Sequence, residues 1–197
     1  MHVVFGIGNP GPKYEHTRHN LGFVVVERLA RAARRPLRRF RDLSAAGIGV
    51  RVGPEPVLLV EPLTYVNRCG PVLEAICRLE RVPLEKVLVV VDDVHLPLGR
   101  LRLRSRGSDG GHNGLRSIVA ALGTEEVPRL RLGVGSPGGG DARSEYVLAR
   151  FPPGERGRVD SLVAHAARTV LAWAREGAEA AMEQANRRDL DRPRDRA

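Results

Sequence analysis

Five consecutive apolar residues, Val87-Leu88-Val89-Val90-Val91, run straight into a pair of acids, Asp92-Asp93. A strand that is apolar at every position must be covered on both faces, so it belongs in the interior of a helix-flanked sheet. The rest of the chain offers the matching parts. Val3–Ile7 is predicted as a buried strand and Leu21–Ala33 as a helix with Leu21, Val24, Val25, Leu29 and Ala32 on one face. Ala45–Val52 and Val57–Glu61 read as a hairpin around the turn Gly53-Pro54. Asn67–Leu79 is predicted helical with Val72, Ile76 and Leu79 inward, Arg100–Arg104 and Leu130–Val134 as strands, and Asn113–Leu122 as a helix. Pro153–Ala185 reads as one or two helices broken near Gly177. This alternation predicts an α/β fold, a single domain over residues 1–186, with a twisted mixed β-sheet covered by helices on both faces. The Arg-rich stretch Arg34–Arg41 is expected to be a solvated connector. Arg187–Ala197 has five Arg, three Asp and almost nothing apolar, so a disordered basic tail is expected.

The first strand leaves through an unusually long polar loop, Gly6-Ile7-Gly8-Asn9-Pro10-Gly11-Pro12-Lys13-Tyr14-Glu15-His16-Thr17-Arg18-His19-Asn20-Leu21-Gly22. Strand-to-helix connections normally take about two to six residues, and long polar loops at strand ends are where α/β proteins place their chemistry. His19, just before the helix, is a candidate general base, since an ordinary imidazole titrates near 6.5. Asp92 ends the central strand, where it can accept from one imidazole nitrogen, fix the tautomer and make the other nitrogen more basic toward water. Asp93 points to the opposite face because strand side chains alternate, so it reads as a loop acid or cap. Asn9, Asn67 and Asn113 each lie where a strand or loop meets a helix. Their amides offer donor and acceptor without titrating, which suits a carbonyl or a developing oxyanion. No serine or cysteine stands in a nucleophile context, so the His–Asp pair points to direct attack by water. His16, His19, His95 and His112 lack metal-ligand spacing, and no metal is expected.

Gly6-Ile7-Gly8-Asn9-Pro10-Gly11 and Gly133-Val134-Gly135-Ser136-Pro137-Gly138 both match the dinucleotide fingerprint, but neither opens a helix on its last glycine, so no nucleotide cofactor is expected. A net charge of +9 and a pI near 10.8 favour a polyanionic partner, although 30 of the 32 cationic residues are Arg, a bias that reflects composition as much as recognition. Cys69 and Cys77, eight apart, read as two buried thiols in a reducing compartment. With no leader before the first strand and no membrane-length apolar run, a soluble cytoplasmic protein is the expectation, and a monomer is expected as well.

Several of these segments together resemble the bacterial-type peptidyl-tRNA hydrolase family. The opening motif is present as Gly6, Asn9, Pro10, Gly11, Tyr14, Thr17, Arg18, His19, Asn20 and Gly22. Pro62-Leu63-Thr64-Tyr65-Val66-Asn67, Asp92-Asp93 with Leu96-Pro97-Leu98-Gly99, Gly110-Gly111-His112-Asn113-Gly114-Leu115 and Arg129-Leu130-Arg131-Leu132-Gly133-Val134-Gly135 follow in order. The resemblance implies hydrolysis of the ester joining a peptide to the 3′ end of a tRNA, with peptidyl-tRNA as the partner, recycling tRNA from aborted translation. It implies His19 as base, Asp92 as its orienting acid and Asn9 at the reacting carbonyl. Tyr14, Tyr65, Asn67 and Asn113 would bind substrate, and Arg104 and Arg131 would grip tRNA phosphate. The chain departs from the family at Val66, where a groove-lining methionine is usual, and at His95, where a second acid is usual. Some relatives with this fold serve in RNA splicing, so a non-catalytic RNA-binding member is the alternative.

Overall fold

The apolar run becomes β5 (Val87–Asp93), and all seven of its residues are buried. A computed structural model of the protein describes residues 1–136 and 143–186. Around β5 stand β1 (His2–Gly6), β2 (Arg38–Arg39), β3 (Ala45–Val52), β4 (Glu55–Pro62), β6 (Leu101–Arg104) and β7 (Arg129–Gly133). They form one seven-stranded mixed sheet in the order β2-β3-β4-β1-β5-β7-β6. β4, β1, β5 and β7 are parallel, whereas β2 and β3 on one flank and β6 on the other run antiparallel to their neighbours. The helices are α1 (Leu21–Ala32), α2 (Gly70–Leu79), α3 (Asn113–Leu122), α4 (Arg143–Leu148), α5 (Arg156–Glu176) and α6 (Ala178–Asn186).

Strand alternation divides the core in two. Leu88 and Val90 of β5 join Val4, Leu130 and Leu132 under α1, α5 and α6. Val87, Val89 and Val91 join Val3 and Phe5 under α2 and α3. Carried two residues further, the same alternation sends Asp92 and Asp93 to opposite faces. The parallel strands all end on one edge, and α1 and α3 begin there.

Several local expectations differ from the structure. The connector over 34–41 contains β2, a two-residue edge strand on β3. The helix expected from Asn67 starts at Gly70, after a separate 3-10 turn, Val66–Arg68. Leu79, expected inward, is 60% exposed at the last residue of α2. α4 was not anticipated. The expected basic tail, and Pro137 and Gly138 of the second fingerprint, lie outside the described residues. Cys69 is buried, but Cys77 is only partly so.

Candidate active site

Glycine places α1 against the strands. A Cβ on Gly22 would stand 2.3 Å from Ile7 N, 2.4 Å from Ile7 O and 2.5 Å from Val90 O, so only glycine lets the helix lie backbone-on-backbone over β1 and β5. A Cβ on Gly6 would meet Gly22 O at 2.4 Å. The first glycine of the apparent dinucleotide fingerprint therefore serves helix packing. A buried 3-10 turn, Arg18–Asn20, leads into α1 and carries His19 over the end of β5.

Arg18 anchors that turn. Its guanidinium donates to the carbonyls of Ala149 (3.3 Å) and Arg150 (3.0 Å), pairs with Glu155 at 3.4 Å, and stacks 4.1 Å from the Tyr146 ring centroid. Asn20 fixes Asn9 from the other side. Asn9 N donates to Asn20 Oδ1 and Asn20 Nδ2 donates to Asn9 O, both at 2.9 Å. Asn9 Oδ1 accepts from Val66 N at 3.0 Å, which orients the amide and leaves its N–H donors as its remaining capacity. Val66 is buried and contributes this backbone donor.

At the centre, His19 Nδ1 lies 2.8 Å from Asp92 Oδ1, and His112 Nε2 lies 3.1 Å from the same oxygen. The two rings are tilted, with centroids 4.8 Å apart. The proton positions follow from the neighbours. His112 Nδ1 accepts from Gly114 N (3.1 Å) and Leu115 N (3.3 Å), capping α3, so its proton sits on Nε2 and is donated to Asp92. His19 donates Nδ1–H to the same carboxylate oxygen, which leaves Nε2 with a lone pair. Burial opposes a charged His19, but the Asp92 carboxylate and its hydrogen bond outweigh it and raise the imidazole pKa above 6.5. Asp92 is 1% exposed. Burial alone would raise its pKa, yet the two imidazoles hold it well below the usual carboxylate range.

Asp93 turns away, as the alternation requires. Its Oδ1 accepts from His95 N at 2.8 Å and its Oδ2 pairs with Arg131 at 3.3 Å. Arg131 also donates to Ser108 O at 2.7 Å. One cleft collects His19, Asp92, His112, Asn113 and Arg131, walled on its far side by α4, and Asp93 lines it too without reaching His19. Asn9, Tyr14, Tyr65, Asn67 and Arg104 do not line this cleft. Tyr14 and Tyr65 meet edge-to-face at 6.3 Å, and Tyr65 is 55% exposed. Asn67 and Arg104 are exposed. Sequence reasoning gave no role to His112 or Asn20. The signal for His112 was its place just before Asn113 at a helix start, where a cap accepts N–H groups. Cys69 is no nucleophile: burial pushes its thiol up to about 12.

Helix-flanked parallel strands carrying a His–Asp–His cluster at their carboxyl edge, buried at His19 and Asp92 and half-buried at His112, define an α/β protein with an enzyme-like centre. A sequence model of the peptidyl-tRNA hydrolase family matches residues 3–193, and the chain belongs to this family, a family of hydrolases. It is 42% identical over 186 residues to a peptidyl-tRNA hydrolase of Desulforudis audaxviator, covering 94% of this chain and 93% of the relative. It is 45% identical over 196 residues to one from a Synechococcus sp., covering 98% and 86%. The crystal structure of peptidyl-tRNA hydrolase from Acinetobacter baumannii superposes with a TM-score of 0.89 at 33% identity, covering 94% of each chain. No helix among the described residues is long and apolar enough to cross a membrane.

Proposed function

We propose that residues 1–186 form a catalytic unit that hydrolyses the ester between peptide and tRNA by water activated at His19. The observation that carries this reading is the shared Asp92 oxygen, which orients His19 with Nε2 unprotonated. In the reaction, Nε2 takes a proton from water while the water oxygen attacks the ester carbonyl carbon. Asn113 in the cleft and Asn9, whose amide N–H donors are its remaining capacity, supply the donors for the developing oxyanion. The intermediate then collapses, the bond to the ribose oxygen breaks, and that oxygen takes the proton held by His19. The products are a tRNA with its terminal hydroxyl restored and a peptide carboxylic acid, which then ionises by releasing the second water proton to solvent. Asp92 stays ionised throughout and stabilises the imidazolium.

In this reading His112 is a positioning residue that shares Asp92, and Asn113 meets the substrate in the cleft. Tyr14, Tyr65 and Asn67 bind it further along the same edge. Arg104, exposed on β6, holds tRNA phosphate. Arg131 contributes to the same grip with its charge partly met by Asp93.

His19, Asp92 and His112 are also metal-ligand types, with donor atoms within 4.8 Å of one another. The hydrogen-bond pattern opposes coordination there. A metal on His112 Nε2 would force the proton onto Nδ1, against the N–H groups of Gly114 and Leu115. The reaction therefore runs without metal in this account.

The test is peptide release from purified peptidyl-tRNA. His19→Ala should slow it by ~10²–10⁴-fold with tRNA affinity near wild type, the contribution of a positioned base. Retention of most of the rate by His19→Ala would contradict the assignment.

A further inference from the structure

Arg129 lies two residues from Arg131 on β7, yet it is 1% exposed and makes no ion pair among the described residues. A buried charge is costly unless its donors are met. Here they are met by carbonyl oxygens. Nε donates to Val127 O at 2.6 Å and Nη2 to Glu125 O at 3.0 Å. Nη1 donates to Gly107 O and, at 3.3 Å, to Ser108 O. One guanidinium thus joins the segment leading into β7 to the glycine-rich loop that precedes α3. Burial lowers its pKa to about 10, assisted by Arg131, so it remains charged at neutral pH.

That loop ends on His112. Gly107 N donates to Glu125 O at 3.2 Å, Ser108 O also accepts from Arg131, and His112 N donates to Asp109 O at 3.1 Å. Gly107 and Gly110 adopt positive φ (146° and 62°), and a Cβ on Gly110 would stand 2.8 Å from Arg131 Nη1. The loop is pressed against the two arginines, and His112 follows from where they hold it. A lysine at 129 would keep the charge but could not span carbonyls on both segments, because an ammonium is a compact point donor.

Resting on the reading of His112 given above, we propose that Arg129 is a positioning residue for the reaction, acting through the 107–111 loop to hold the His112 imidazole on Asp92. Misplacement of a supporting group by about 1 Å costs up to ~10²-fold in rate. The experiment is a double-mutant cycle on the full chain, reading kcat for peptide release at a temperature where circular dichroism shows every variant folded. Arg129→Gln should lower kcat at least ~10-fold in the wild-type background and under ~3-fold in the His112→Ala background. Equal losses in both backgrounds, or an unchanged kcat, would overturn the proposal, since loss of stability alone makes the two changes independent. Where Arg129→Gln does not fold, Gly107→Ala gives the same cycle from the loop side by straining the carbonyl that Arg129 holds, with the same two outcomes. A fully active His112→Ala would remove the role of His112 and this proposal together. A slow His112→Ala beside a normal Arg129→Gln would remove this proposal alone.

Discussion

One carboxylate oxygen, Asp92 Oδ1, takes hydrogen bonds from two imidazoles, and that sharing decides which nitrogen is left as a base. Asp92→Asn should cost ~10²–10⁴-fold in kcat through lost control of the tautomer and lost support for the imidazolium. Asp93→Asn should cost far less, because Asp93 faces His95 and Arg131. The reverse order in a kcat comparison would mean that the wrong acid has been assigned. His112→Ala removes a donor from Asp92 and the cap of α3. It should therefore cost about 1 kcal/mol of stability, read by denaturant melting, as well as rate. His19 and Asp92 were legible in the sequence because each is fixed by chain position, one before a helix and one at a strand end. Arg131 was legible as a cation but not as Asp93's partner. Its pairing depends on which strands are neighbours, and β5 meets β7 only through a crossover.

At the level of elements, the site depends on how closely α1 lies on β1 and β5. Gly22→Ala would press a methyl group onto three backbone atoms that cannot yield cheaply. A loss of ~1–3 kcal/mol is expected in thermal or denaturant unfolding, the range for overpacked positions. Because α1 carries the His19 turn, kcat should fall as well. A variant of wild-type stability would show that the approach is looser than described. The elements with a strong apolar pattern, β5 as an unbroken run and α3 and the β3–β4 hairpin by their periods, could be read from the chain to within a residue or two. β2 was not legible, since two arginines on an edge strand look like any solvated connector. α4 was missed because six residues, none fully buried, are too few to show a helical period. Leu79, the last residue of α2, is exposed, and periodicity alone does not say how far along a helix its apolar face stays covered.

Across the whole molecule, a net charge of +9 suits a polyanionic substrate, but composition did not show where that substrate lies. Arg104 is exposed on β6 whereas Arg131 is turned toward Asp93. Arg104→Ala should raise KM and flatten its dependence on log salt by about one phosphate contact, a slope change of roughly 0.7–0.9. Arg131→Ala should change the slope less. An unchanged slope for Arg104→Ala would place the tRNA elsewhere. Activation of water by a neutral His19 oriented by Asp92 makes kcat/KM depend on pH. The base must be unprotonated, so the wild-type rate should rise with pH through a midpoint above 6.5, where Asp92 holds the imidazole. Asp92→Asn removes the charge that raises it and leaves burial, which lowers it, so the midpoint should cross below 6.5 as the plateau falls. A wild-type profile flat across this range, or a midpoint that stays put in Asp92→Asn, would contradict the account.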